Sequence, residues 1–131
     1  MTEPLPVILV VDDMIETRRL MRRVLERGRF TVIEAASGED GLRAIESARP
    51  RLVVLDLRLP RMSGFDVARA VRSSPDPDVA ATILLACSAS VQAEVQREAI
   101  EAGCDAFEGK PFDVHTFADR VRNLIAQHRR R

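Results

Sequence analysis

Short apolar runs alternating with segments of helical periodicity leave this chain few folds to choose from. Four runs end in a polar residue capable of chemistry: Val7–Val11 before Asp12 and Asp13, Leu52–Leu55 before Asp56, Ile83–Cys87 before Ser88, and Ala106–Phe107 shortly before Lys110. Alternating β and α elements argue for a parallel sheet covered on both faces. All strand C-termini of such a sheet lie along one edge, and ligands bind there where the strand order reverses. Three carboxylates, a hydroxyl and an ammonium, spread over about a hundred residues, would meet in one pocket. That set suits a divalent cation and a phosphoryl group.

The elements between the runs follow from periodicity and punctuation. Strand 1 is Val7–Val11, and helix 1 runs from about Ile15 to Arg27, with Leu20, Met21, Val24 and Leu25 on one face and Gly28 as its stop. Strand 2 is Phe30–Ala35. Ser37 and Asp40 form a capping-box pattern for helix 2, whose inner face is Leu42 and Ile45. Strand 3, Leu52–Asp56, leads through a loop with Pro60 and Gly64 into helix 3, with Phe65, Ala68 and Val71 inward. The Pro75-Asp76-Pro77-Asp78 stretch is read as a loop, and strand 4 as Thr82–Cys87. Helix 4 is Val91–Ala102, with Val95 and Ala99 inward and Glu94, Glu98 and Glu101 outward; Gly103 ends it. After the short strand Ala106–Glu108, helix 5 runs from Asp113 to about His128, placing Val114, Phe117, Val121, Leu124 and Ile125 at helical spacing. Five βα units with right-handed crossovers make a doubly wound α/β sheet.

Composition bounds the class. The 131 residues make one domain, with a core at about residues 7–127 and a disordered lead over residues 1–6. A chain of this length buries roughly two-thirds of its surface on folding. Net charge is zero, so no overall field favours nucleic acid or an anionic membrane, and direct binding to either is not expected. No apolar run is long enough to span a bilayer, and the N-terminus has no export pattern. Cys87 and Cys104 fit no metal-ligand spacing and read as reduced thiols of a cytoplasmic protein.

Lysine usage sharpens the site. The chain has nineteen arginines and one lysine, Lys110. Arg is a planar fork and Lys a compact point charge, so a packed site with room for one small cation accounts for the exception.

The motifs V-D-D at 11–13, D-L-R-L-P-R-M-S-G at 56–64, C-S-A at 87–89, G-C-D-A-F at 103–107 and G-K-P-F at 109–112 occur in order, each at a strand end. In this the chain resembles the receiver domain of bacterial two-component response regulators, over about Val7 to Gln127. The resemblance implies a flavodoxin-like (βα)5 sheet of strand order 2-1-3-4-5. It implies Mg²⁺, or another divalent cation such as Mn²⁺, held by Asp13, Asp56 and the backbone carbonyl of Arg58, with Asp12 acting through a bound water or by orienting Lys110. Asp56 would be the phosphoacceptor, and Lys110 and the Ser88 hydroxyl would neutralise the phosphoryl oxygens. Ser88 and Phe107 would form the switch pair, and a cis peptide bond is implied before Pro111. The implied partners are a histidine kinase or histidine phosphotransfer protein and a downstream protein.

The chemistry of the residues points the same way. A carboxylate can form an aspartyl-phosphate, and phosphoryl transfer needs alignment and charge neutralisation more than covalent help. The bland readings are that Asp12 and Asp13 end a strand and cap helix 1, that Ser88 caps a loop, and that Phe107 is plain core. Arg18, Arg19, Arg22, Arg23 and Arg27 make helix 1 basic on its outer side. A solvated face is the favoured reading, and a docking surface for the phosphodonor the alternative. His115 and His128 stand at no metal-ligand spacing from another candidate ligand and read as solvated, and Arg129–Arg131 complement a negative helix C-terminus.

Two rival functions remain. A haloacid-dehalogenase-like phosphatase needs a second acid two residues after its nucleophile, and position 58 is Arg. A non-phosphorylated module on the same fold typically lacks an acid or the lysine, and this chain has all of them. Nucleotide binding lacks both a G-x-G-x-x-G and a P-loop. The expectation is a signalling domain rather than an enzyme, with its output through protein binding, since helix 5 ends close to the last residue. The chain reads as a stand-alone regulator or a receiver cut from a hybrid kinase, and the initial Met favours the former.

Overall fold

In the computed structural model, which describes residues 4–128, the apolar runs pair into one all-parallel sheet of order β2-β1-β3-β4-β5. The strands are β1 (Val7–Val11), β2 (Thr31–Ala35), β3 (Leu52–Asp56), β4 (Ile83–Ser88) and β5 (Ala106–Gly109). The helices are α1 (Ile15–Arg27), α2 (Gly38–Ala48), α3 (Gly64–Arg72), α4 (Pro77–Ala80), α5 (Ala93–Ala102) and α6 (Phe117–Gln127). The doubly wound topology and the strand order are those expected. Strand order reverses at β1, whose neighbours are β2 and β3.

Alternation along each strand divides the core in two. Leu9, Val11, Val53, Leu55, Leu84 and Ala86 pack with Ile45, Val67, Val71 and Ala99 beneath α2, α3 and α5. Ile8, Val10, Leu52, Val54, Leu85 and Cys87 pack with Met21, Leu25, Phe117 and Val121 beneath α1 and α6. Both faces of the central strands are therefore sealed, as the continuous apolar runs require.

The structure corrects several local readings. Pro77–Ala80 is a helical turn rather than loop, because the Asp76 carboxylate caps it by accepting the Asp78 amide and Pro77 occupies its first position. The C-terminal helix begins at Phe117, not Asp113. The Asp113 carboxylate accepts the His115 amide at 2.8 Å, forming a turn that leaves Val114 exposed. Leu20 is exposed too, and the buried positions of α1 are Met21 and Leu25. α5 starts at Ala93 and leaves Val91 in solvent. At α2 the Ser37 hydroxyl accepts the Asp40 amide, which is the capping expected there. Residues 1–3 of the expected lead and Arg129–Arg131 lie outside the described residues. Pro6 is tied to the sheet by accepting the Thr31 amide at 3.0 Å.

Candidate phosphoryl-transfer site

Parallel strands deliver their last residues to one edge, and that edge holds the polar set. Asp12 follows β1, Asp56 ends β3, Ser88 ends β4 and Lys110 follows β5. Asp12, Asp56 and Ser88 are almost wholly buried, while Asp13 is open to solvent. Carboxylate oxygens of Asp12, Asp13 and Asp56 lie within 4.8 Å of one another. A cluster of hard oxygen donors at that spacing fits a small divalent cation, which also relieves the repulsion among the three acids.

Lys110 bridges the two buried acids. Its Nζ donates to Asp12 Oδ2 at 2.7 Å and lies 3.5 Å from Asp56 Oδ1. Burial works against the ammonium, but the Asp12 hydrogen bond and the charges of Asp56 and Asp12 outweigh it and hold the Lys110 pKa above its ordinary value. Burial is also the largest influence on Asp56 and raises its pKa. The Arg58 amide lowers it, the Asp12 charge raises it, and Lys110 lowers it.

Each group is positioned by local structure. Asp12 Oδ1 accepts the Met14 amide at 2.9 Å, closing the turn into α1. Asp56 Oδ1 accepts the Arg58 amide at 3.1 Å, while Oδ2 has no hydrogen-bond donor among the described residues. The loop after Asp56 is fixed by a capping box at α3. Ser63 Oγ accepts the Asp66 amide, and Asp66 Oδ2 accepts the Ser63 amide. This cap brings Gly64 so close that a Cβ there would lie 2.3 Å from the Asp56 carbonyl oxygen, so glycine is required by the close approach. The Ser88 hydroxyl accepts the Ser90 amide at 3.1 Å, and the Ser88 carbonyl accepts the Lys110 amide at 2.9 Å. The Lys110–Pro111 peptide bond is cis.

The remaining candidates are placed as follows. Arg58 is exposed, and its guanidinium makes no ion pair with a described residue. With Asp13, Ser88, Phe65, Val95 and Glu98 it lines an open groove of about 680 Å³. Phe107 is half-buried against the core below α3 and α5. His115 is exposed, in the loop between β5 and α6. Cys87 and Cys104 are buried free thiols, pushed by burial to about 12 and about 11 respectively, so both are protonated at neutral pH.

Sequence reasoning missed one support of the site. Arg18 does not face outward: its Nη1 donates to the Asp12 carbonyl at 2.8 Å, and its Nε to Glu34 Oε1 at 2.7 Å. Arg22 joins the same carboxylate at 2.8 Å. The available signal was Glu34, an acid inside a strand and next to a helix rich in arginine. The other basic residues of α1, Arg19, Arg23 and Arg27, are exposed as expected.

Comparison with known proteins agrees with this geometry. The family model described as "Response regulator receiver domain" matches residues 8–122. Response regulator MprA of Mycolicibacterium vanbaalenii is 38% identical over 118 residues, covering 90% of this chain and 49% of that protein. Transcriptional regulatory protein ResD of Bacillus subtilis is 33% identical over 118 residues, with 90% and 47% covered. The chain thus spans about half the length of the curated relatives it matches. Among solved structures, a putative response regulator from Chloroflexus aurantiacus superposes with a TM-score of 0.87 at 28% identity, covering 93% of this chain and 98% of that one. Chemotaxis response regulator CheY4 of Vibrio cholerae gives 0.84 at 26% identity, covering 92% and 98%. With its acid cluster, lysine and hydroxyl at the strand ends and a family match over most of its length, the chain belongs to the response regulator receiver domain family.

Proposed function

We propose that this chain is a phosphorylation-controlled switch that takes a phosphoryl group from a histidine kinase or histidine phosphotransfer protein onto Asp56. The observation that carries this reading is the Lys110 ammonium held between Asp12 and Asp56 beside a third carboxylate, with the Ser88 hydroxyl at the next strand end. An isolated ion pair needs no third acid, and a core lysine needs no neighbouring hydroxyl.

Asp13, Asp56 and the Arg58 carbonyl would hold Mg²⁺, with Asp12 bound through water; the ion supplies neutralisation of charge on the phosphoryl oxygens. Oδ1 of Asp56 is engaged by the Arg58 amide and faces Lys110, which leaves Oδ2 as the attacking oxygen. Attack forms the Asp56 O–P bond as the phosphohistidine N–P bond breaks, and the leaving imidazole takes the electron pair. Lys110 keeps its proton throughout and pairs with the phosphoryl oxygens as charge builds on them. The Ser88 hydroxyl donates to one of those oxygens, and Phe107 follows it inward, which changes the surface of α5, β5 and α6 offered to a downstream protein. The chain thereby catalyses only its own phosphorylation and slow dephosphorylation.

Residues 7–127 act as one receiver domain, and the reactions belong to the cytoplasm, where such donors work. No helix among the described residues is long and apolar enough to cross a membrane. A second observation favours donor docking on α1. Arg19, Arg23 and Arg27 have no charged partner among the described residues, and the exposed Leu20 and Val114 line a groove of about 650 Å³ together with Arg23 and Arg27. The deciding experiment is incubation with Mg²⁺ and a small acyl phosphate, followed by intact mass. The expected result is one added phosphate, absent without Mg²⁺ and absent in Asp56→Asn. No addition, or equal addition in the variant, overturns the assignment.

A further inference from the structure

Asp12 is held at every polar atom it has. Its amide donates to the Ala35 carbonyl at 3.1 Å, Oδ1 accepts the Met14 amide, and Oδ2 accepts Lys110 Nζ. Its carbonyl accepts Arg18 Nη1 at 2.8 Å. Asp13 is the opposite case. It is exposed, and no group among the described residues donates a hydrogen bond to its carboxylate. The direction in which Asp13 points is therefore set by the backbone before it, the planar Asp12–Asp13 peptide. Among the described residues, Arg18 is the one side chain that bonds the oxygen of that peptide.

Arg18 is itself fixed. Its Nε donates to Glu34 Oε1 at 2.7 Å, and the two side chains are only 13% and 18% exposed. Glu34 lies in β2, opposite Val10 of β1. A planar guanidinium bonded through both Nε and Nη1 cannot turn without breaking one of the two bonds. It thereby locks the peptide plane after β1 to the neighbouring strand. Its charge is matched by Glu34, so what it gives the acids is geometry. Arg22 supplies a comparison inside the same cluster. It bonds the other oxygen of the Glu34 carboxylate at 2.8 Å but makes no bond to Asp12.

We propose that Arg18 is a positioning residue for Asp13: by holding the Asp12–Asp13 peptide it sets how tightly the acid cluster binds Mg²⁺. The inference rests on the reading of Asp12, Asp13 and Asp56 as the metal site. Charge alone gives the opposite sign, because removing a cation close to three carboxylates favours a second cation among them. Weaker Mg²⁺ binding on loss of Arg18 therefore identifies geometry as the cause.

Calorimetric titration of the whole chain with Mg²⁺ tests this. Arg18→Met is expected to weaken Mg²⁺ binding by about fivefold or more, while Arg22→Met stays within about twofold of wild type. Arg18→Lys keeps the charge without the fork and should weaken binding as Arg18→Met does. Raising Mg²⁺ to saturation should bring phosphorylation of Arg18→Met by an acyl phosphate back to within about twofold of wild type, a rescue that general loosening of the fold would not allow. Unchanged or tighter Mg²⁺ binding in Arg18→Met, equal weakening in Arg22→Met, or full affinity in Arg18→Lys overturns the proposal. A metal-free measurement stands beside it. The Met14 amide, bonded to Asp12 Oδ1, should exchange about fivefold faster in Arg18→Met and within about twofold of wild type in Arg22→Met. Equal exchange in the two variants also overturns the proposal. Far-UV circular dichroism checks folding, and where Arg18→Met does not fold, Arg18→Lys decides. Wild type that binds no Mg²⁺ counts against the acids as a metal site, and the Met14 comparison then judges the positioning.

Discussion

Replacing Asp56 by asparagine should make the protein more stable, and the site geometry gives the size. The Asp56 carboxylate lies 3.5 Å from the Lys110 ammonium, an attraction of about 5 kcal/mol at an effective dielectric of about 20. Asp12, at no more than 4.8 Å, repels it by about 3.5 kcal/mol on the same scale, and solvent-exposed Asp13 adds about 1 kcal/mol. Attraction and repulsion nearly cancel. The cost of burying the charge is left uncompensated, which is why burial leads the influences that raise the Asp56 pKa. Asparagine keeps the shape and one oxygen for the Arg58 amide without the charge. A gain of about 1–2 kcal/mol is expected, or roughly 3–8 °C in Tm for a chain of this size.

The raised pKa sets the pH dependence. The native state binds the Asp56 proton more tightly than the unfolded chain, so the penalty is full above the native pKa. It fades as pH falls towards the ordinary aspartate range, and the advantage of asparagine fades with it. Mg²⁺ should narrow the difference as well, because wild type gains about 1.4 kcal/mol at ten times the dissociation constant. The chain has no Trp or Tyr, so urea unfolding is best followed by far-UV circular dichroism, at pH 7 in EDTA and then in Mg²⁺. An Asp56→Asn protein less stable than wild type in EDTA would refute the reasoning.

Three further outcomes are expected. Asp13→Ala should weaken Mg²⁺ binding by about tenfold or more and slow phosphorylation in step, because an exposed oxygen of the acid cluster is lost; unchanged metal affinity by calorimetry would remove Asp13 from the ligand set. Arg58→Ala should shorten the life of the phosphorylated protein, since the guanidinium, without an ion pair among the described residues, lines the groove that also holds Asp13 and Ser88 and can hinder the approach of water; equal decay in wild type, Arg58→Ala and Arg58→Asn would exclude it from that role. Glu34→Gln should cost about 1–2 kcal/mol at pH 7. Hydrogen bonding to Arg22, then to Arg18, holds the Glu34 pKa below the usual glutamate range against the effect of burial, so its stabilisation is present above the unfolded pKa and lost as pH falls through the native one. A deficit in the glutamine variant that persists undiminished at pH 3 would contradict this.

The parts of the fold that depend on period and order were legible in the chain. Continuous apolar runs such as Leu52–Leu55 can only be strands sealed on both faces, and parallel pairing then sends Asp12, Asp56, Ser88 and Lys110 to one edge. What escaped depends on single local hydrogen bonds. Asp76 and Pro77 together start a helical turn, but the second proline and the second aspartate around them resemble a loop. Val114 keeps the helical spacing of Phe117 and Val121, yet the Asp113 side chain stops the helix from reaching it. The inward turn of Arg18 depends on where β2 lies beside α1, and in the sequence only Glu34, an acid inside a strand, pointed to it.

That same pair bears on a different property, resistance to aggregation. β2 is an edge strand, bonded only to β1, so its outer backbone groups are open to another strand. Sheet proteins guard such edges with charges that are hard to bury between stacked chains. Glu34, held by two arginines of α1, places a charge in the middle of that edge. Protonating it loosens α1 and removes the edge's one negative charge, but it also frees the positive charges of Arg18 and Arg22 beside it. Acid should therefore weaken the packing of α1 without opening β2 to other chains, because the guard changes sign rather than disappearing.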